Sequence, residues 1–529
     1  MLDYRIENAL LIDGSGRPGI PGSLGVKNGK IAALGRLDGE TTAQRIDAKG
    51  RCLTPGFLDI HRHADAALFR PGFGRAELAQ GLTSIVNGNC GLSLAPAPCV
   101  RRREIYGYLE PVTGLPDDAL ATDTMAAYLD AVSKTPLPIH IGMLAGGGTV
   151  RTAAYGFAPG PLAPEALREV HRLLEESLSG GALGISLGLG YAPECFYTTQ
   201  ELIAALAPLR DSGVPITVHM RQEGAGVVEA LKEMLTVARA LRTPVHISHL
   251  KSIGKAYWGR YMPEMLALLT RAREDGLDVS CDLYPYTAGS TQLIHVLPPE
   301  AQEGGLDTLT QKLRVPEFRA AMRERMRTGT DFENLSLLVG WENIDVSTVT
   351  REENSRFVGR SVAEISAAEG VDPFDFTFDL LASESCAVTM IDRITANEDI
   401  CAALRAPFSS VISDATYPTS GLLHPRVYGN CAHLLEEYVR RQGVLTLEQA
   451  VERLTSRPAS VLGLAGKGSL AVGMDADLCL FDPARIHETA SYAVPERCAE
   501  GMDYVFVDGV PVIAEGQFTG AVNGSVLRR

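Results

Sequence analysis

Eight short apolar runs, many of them ending in a polar residue, constrain this chain more than any other feature. They are "GFLDIH", "TSIVNG", "PIHIGMLAG", "ALGISLGL", "PITVHM", "PVHISHL", "DVSCDLYP" and "SSVISDA". Runs of this length suit strands buried on both faces, and helical patterns lie between many of them. The clearest is "PEALREVHRLLEESLSGG", with Leu167, Val170, Leu174 and Leu178 on one stripe and Gly180-Gly181 as the stop. In "TTQELIAAL", Thr198 and Glu201 have capping-box spacing. Eight strands alternating with helices predict an α/β fold, a closed (β/α)8 TIM-type barrel over residues 56–465.

The two ends read differently. Residues 1–55 and 466–529 are short apolar runs punctuated by Gly, Asn and Asp, with Asp508-Gly509 a hairpin signal. They are expected to join as one small β-sandwich domain. Two further strand-like runs, "LSLLVGW" and "CAVTMI", fall between the seventh and eighth strands, so residues of about 290–405 are assigned to an insertion. Its "RVPEFRAAMRERMRTG" reads as a helix with a solvated charged face.

Composition narrows the partners. Forty-nine basic against 64 acidic residues give a net charge of −15, the wrong sign for a nucleic-acid or anionic-membrane partner. No stretch approaches the roughly 20 apolar residues that span a bilayer. The opening "MLDYRIENALLIDGSG" lacks a basic segment followed by an apolar one, so no signal peptide is expected. Ten scattered cysteines suit a reducing compartment. The expectation is a cytoplasmic enzyme acting on a small molecule, with homo-oligomerisation left open.

Chemistry concentrates at the strand exits. The first ends in "HRH", where His61 and His63 share a face by i, i+2 alternation; the second is followed by Cys90. The fifth ends at His219, the sixth leads to His249 and Lys251, and the eighth to Asp414. In a barrel these exits form the active-site face, and a mixture of imidazole, thiol and carboxylate suits a zinc ion. A lone cysteine is more often a small buried hydrophobe; convergence of position outweighs that. His246 points to the face opposite His249, and His140, His171 and His487 read as packing or surface residues. Asp59 is a candidate to orient a histidine.

With these residues assembled, the chain resembles the N-acyl-D-amino-acid deacylases (D-aminoacylases) of the amidohydrolase superfamily. The likeness runs nearly end to end, through "TPGFLDIHRHAD", "GNCGLSLAP", "GLGYAPECFYTTQEL", "VHMRQEG", "ISHLKSIGK", "YPYTAGST", "ISDA", "HPRVYG" and "GMDADLCLFDP". Many relatives on this barrel bridge two metals with a carboxylated lysine on strand four. The fourth run here has no lysine, and Cys90 stands where the deacylase branch uses a thiolate. The resemblance implies a tight zinc on Cys90, His219 and His249, and a weaker second site on His61 and His63 that shares Cys90. It also implies Asp414 as general base and acid, Tyr191 as a helper at the developing oxyanion, and Lys251, Tyr284, Ser290 and Arg426 as the holders of a substrate carboxylate.

The reaction so implied is hydrolysis of N-acyl-D-amino acids. "TQLIHVLPPEAQEGG", after Ser290, carries no arginine, which favours neutral or hydrophobic side chains, although His295 could recruit a polar one. Two rivals are a cyclic-amide hydrolase of the dihydropyrimidinase type on the same barrel, disfavoured by the missing lysine, and a non-catalytic relative acting as an interaction protein, disfavoured by the retained ligands and Asp414.

Overall fold

The computed structural model describes residues 1–37 and 39–529. Each of the eight apolar runs holds a parallel strand. In chain order they are Phe57–Asp59, Leu82–Asn87, His140–Met143 (resuming as Ala145–Gly146), Ile185–Gly188, Ile216–His219, Val245–Ile247, Val279–Leu283 and Ser409–Val411. The first three pair in one sheet. The second part of the third strand pairs with the fourth, and pairing continues through the seventh to the eighth. Where the third strand breaks at Leu144, its N–H donates to Asn87 O at 2.9 Å. Across the remaining gap, Asp414 N–H donates to His61 O and His63 N–H to Ala415 O, both at 3.0 Å. The exits of the first and eighth strands therefore lie side by side.

Helices cover these strands because their apolar stripes demand it. In Pro164–Ser179 the stripe centres on Val170, Leu173 and Leu174, with Leu167 and Leu178 only half-buried at its edges. Each Val, Leu, Ile or Phe side chain buried in this way contributes about 1.5–3 kcal/mol. Thr198 and Glu201 form the reciprocal capping box that their spacing predicts.

Both ends of the chain enter one nine-stranded mixed sheet, joined where Cys52–Pro55 runs antiparallel to Leu478–Phe481. The sheet surrounds a core of its own that includes Ile6, Leu24, Leu53, Leu478, Leu480 and Phe506. Asp508-Gly509 turns the hairpin between Met502–Val507 and Val510–Ala514.

Between the seventh and eighth parallel strands lies a separate antiparallel sheet of Ala288–Gln292, Thr389–Arg393 and Ile344–Thr348, in that spatial order. "CAVTMI" contributes to its middle strand. "LSLLVGW" does not form a strand: Leu335–Leu338 is a helical turn whose start is capped by Asn334 Oδ1, which accepts from Leu337 N–H. An apolar count does not register such a local side-chain-to-backbone bond. Pro316–Thr328 is helical and mostly exposed, anchored by Met322 and Met326.

Candidate metal centre and active site

The strand exits bring the polar residues together. His61 and His63 follow the first strand with ring centroids 5.5 Å apart. His61 Nε2 lies 3.2 Å from Cys90 Sγ and 3.3 Å from Asp414 Oδ1, and His63 Nε2 lies 3.2 Å from the same Asp414 oxygen. His249 Nε2 is 3.4 Å from Cys90 Sγ and 3.1 Å from His219 Nδ1. Two groups of mutually close donors result, His61–Cys90–His249–Asp414 and His219–Glu223–His249, with His249 in both.

The backbone is bent to achieve this. Cys90 (φ +53°), His249 (φ +36°) and Asp414 (φ +52°) are all left-handed, a conformation costing an L-residue roughly 1–2 kcal/mol. Such outliers persist where surrounding structure imposes them, and they gather at functional sites. Asp59 supplies part of that imposition. Its Oδ1 accepts the backbone N–H groups of both His61 and Ser413, at 3.1 and 3.2 Å. It holds the backbone of His61, not the ring. Arg62 turns away from the centre, donating to Asp59 at 2.8 Å and pairing with Glu77 in a fully buried pocket.

Two glycines at the end of the fourth strand have no room for a side chain. A Cβ on Gly188 would sit 2.1 Å from Cys90 O, and one on Gly190 would sit 2.8 Å from His219 Nε2. At Gly188 the close neighbour is the backbone of the loop that carries Cys90.

The donors fit a zinc-type ion. Tetrahedral ligands about 2.0–2.3 Å from zinc lie about 3.3–3.8 Å apart, close to the separations here, and the set is nitrogen, sulfur and carboxylate oxygen. Electrostatics agree. Burial opposes ionisation of Cys90, yet His61 and His249 hold its thiol well below the usual range. Burial likewise opposes ionisation of Asp414, but Arg426, His61 and His63 hold it well below an ordinary carboxylate. His249 is raised to about 9: burial and Lys251 oppose protonation, while Glu223 and Cys90 outweigh them. Buried anions here are balanced by protons that a divalent cation can replace.

A cavity opens above the cluster, lined by Tyr191, His219, Lys251, Tyr284, Ser290 and Asp414 among others. His61, His63, Cys90 and Arg426 are not among its walls. Tyr191 stacks between His219 and His295, centroids 4.3 and 4.2 Å away. Lys251 Nζ lies 5.6 Å from the Tyr284 ring centroid, and Arg426 Cζ lies 4.7 Å from it. Arg426 also reaches Asp414 Oδ2 at 3.1 Å and donates to Ser290 O at 3.2 Å.

Two residues of this network were not singled out by sequence. Glu223 Oε1 lies 2.9 Å from His249 Nδ1, and its Oε2 accepts from Lys251 Nζ at 2.7 Å. Asp282 accepts the His249 backbone N–H and lies 2.9 Å from His246 Nε2 and 3.8 Å from His61 Nδ1. The signal for Asp282 is its place two residues before Tyr284 on one strand face. His246 stays out of the donor cluster but fixes Asp282. His171 and His487 are remote, on Ala204 O and Glu436.

The profile of the amidohydrolase family matches residues 44–513. The chain belongs to the amidohydrolase family. Within it, the chain is 32% identical to a D-aminoacylase of Alcaligenes xylosoxydans xylosoxydans over 100% of this chain and 98% of that one. It is also 32% identical to an N-acyl-D-glutamate deacylase of the same organism, over 100% and 97%. The structure matches that of the N-acyl-D-glutamate deacylase from Bordetella bronchiseptica, solved with zinc and a phosphonate inhibitor, at a TM-score of 0.84 and 29% identity over the whole of both chains. Among the described residues, no helix is long and apolar enough to cross a membrane.

Proposed function

We propose that this family member is a zinc-dependent amide hydrolase that releases D-amino acids from N-acyl-D-amino acids with neutral or hydrophobic side chains. The observation that carries this reading is the convergence of Cys90, four imidazoles and Asp414 beneath a cavity holding Lys251, Tyr284 and Ser290. Cys90, His219 and His249 would hold the tight zinc, and His61 and His63, with Cys90, a second and weaker one. When bound, zinc polarises an amide carbonyl and acidifies water.

The chain's own residues supply the rest. Asp414, ionised and facing the cavity, takes a proton from water and delivers it to the leaving nitrogen. Tyr191, held upright by its two imidazole neighbours, donates to the developing oxyanion. Lys251, Tyr284, Ser290 and Arg426 hold the free α-carboxylate, with Arg426 the bidentate clamp. Fixing carboxylate, amide and side chain at three points selects one enantiomer.

The same reading takes the parallel strands as a (β/α)8 barrel over 56–465. Support comes from the bonds at Leu144 and between the His61 and Asp414 exits, which link its sheet segments. Segments 1–55 and 466–529 form the β-sandwich, and the region of about 290–405 the insertion. The absence of a lysine from the fourth strand argues against a lysine-bridged cyclic-amide hydrolase.

The test is release of free amino acid from N-acetyl-D-methionine and N-acetyl-L-methionine, with and without chelator. Chelator-sensitive hydrolysis of the D-form alone is expected. Hydrolysis of hydantoin or dihydrouracil, with neither acetyl substrate cleaved, would overturn the proposal.

A further inference from the structure

The cavity above the cluster has a composition that its apolar walls conceal. Ile253, Leu297, Phe332 and Ile394 would pack along an aliphatic stem. Beside the donors already described, three groups on the same walls offer acceptor oxygens. Asp392, carried on the middle strand of the inserted sheet, is 3% exposed, lines the cavity, and has an Oδ1 with no hydrogen-bond partner. Gln302, also buried in the wall, has an unpartnered Oε1. Glu333 lines the same space and uses one oxygen to accept the Glu223 backbone N–H.

Cations are scarce. Lys251 is the sole Lys or Arg among the lining residues, and its ammonium is already paired with Glu223 at 2.7 Å. Burial raises Asp392 to about 6 even though Lys251 and Arg426 pull it down. Burial and the neighbouring Glu223 raise Glu333 to about 8. Both carboxyls are short of counter-charge. Leaving a buried acceptor unmet costs about 1–3 kcal/mol, and adding a second carboxylate beside these two would be worse.

We infer that the substrate side chain accepted here ends in a hydrogen-bond donor on an apolar stem, with an amine- or guanidine-tipped D-amino acid the best fit and a carboxylate-tipped one the worst. This rests on the deacylase reading and replaces its neutral or hydrophobic side-chain preference with a cationic one. An aliphatic side chain satisfies the walls alone; a lysine-type chain satisfies the walls and delivers an ammonium to Asp392 and Glu333. The two relatives share 32% identity with this chain, so likeness alone does not separate a D-aminoacylase from a D-glutamate deacylase. The charge of this cavity does.

The experiment compares kcat/KM of the zinc-loaded full chain for the Nα-acetyl forms of D-lysine, D-norleucine and D-glutamate. Norleucine keeps the lysine stem and drops the ammonium. Lysine is expected to exceed norleucine by roughly tenfold or more, the size of one hydrogen bond to a charged group, with glutamate slowest. In Asp392→Asn the lysine-to-norleucine ratio should fall towards one. Glu333→Gln gives a second reading of that ratio should the first variant fold poorly. Norleucine cleaved as well as lysine, or glutamate preferred to either, would overturn the inference and leave the deacylase reading standing. Silence on all three, together with the methionine pair, would remove both.

Discussion

Among the described residues, two buried clusters join histidine and carboxylate, and one of them has the makings of a metal centre. At the strand exits, His61, Cys90, His249 and Asp414 surround one another, and the nearby cations sit on outer atoms, Arg426 on Asp414 Oδ2 and Lys251 on His249 Nδ1. Elsewhere, where the third parallel strand meets the terminal sheet, His140, Asp477 and Asp508 are equally close. That second cluster is filled by the chain itself: Lys467 Nζ lies 2.5 Å from Asp477 and 3.0 Å from Asp475. His140 is fixed further by Ser525 Oγ at 2.9 Å. One cluster has a lysine ammonium set between its carboxylates and joins the chain ends to the strands; the other has its cations on outer atoms only and carries a thiol, three left-handed backbones and a cavity overhead. Donor proximity alone does not distinguish structure from chemistry. What occupies the centre does.

That contrast can be broken most severely at Asp414. Asp414→Asn should lower kcat by about 10²–10⁴-fold, the usual worth of a positioned acid–base group, while zinc remains bound. Near-normal turnover would remove Asp414 from its role. Next in size, Lys467→Met should cost on the order of 3–5 kcal/mol by leaving buried carboxylates uncompensated. Denaturant unfolding would show this, with zinc content unchanged. Asp282→Asn, which touches the centre only through His249 and His61, should weaken zinc by about 10–100-fold in a competitive-chelator titration. A smaller effect is the pH dependence of the filled cluster. Burial opposes ionisation of Asp477, but His140 and Lys467 hold its carboxyl well below 3.8, so its stabilisation is present above that value and fades in more acidic solution. Lys467 is raised above 10.5 by Asp477 and Asp475 against the cost of burial, so its share is present below that pH and is lost as pH rises through the folded-state value. The stability gap between the parent and Lys467→Met should therefore narrow at both extremes.

The strands were legible because apolar runs of the right length report burial whatever the tertiary context. Their exits were legible too, since alternation places His61 beside His63. Alternation fails where the backbone turns left-handed, at Cys90, His249 and Asp414, so sequence gives their neighbourhood but not their contacts. Glu223 was hidden because it reaches His249 only through the path of the loop after the fifth strand. His140 shows the opposite limit: read as packing, it is a hydrogen-bonded member of the cluster that joins the chain ends, a role set by a partner more than 300 residues away. The "LSLLVGW" run misled because a single Asn334 cap outweighed its strand-like composition.

The most direct measurement is zinc content, determined side by side on the parent chain, Cys90→Ala and Lys467→Met after the same purification and dialysis. The parent and Lys467→Met should retain tightly bound zinc, and Cys90→Ala should lose it. Full zinc in Cys90→Ala, or its loss from Lys467→Met with the fold intact, would contradict the assignment of the strand-exit cluster as the metal centre.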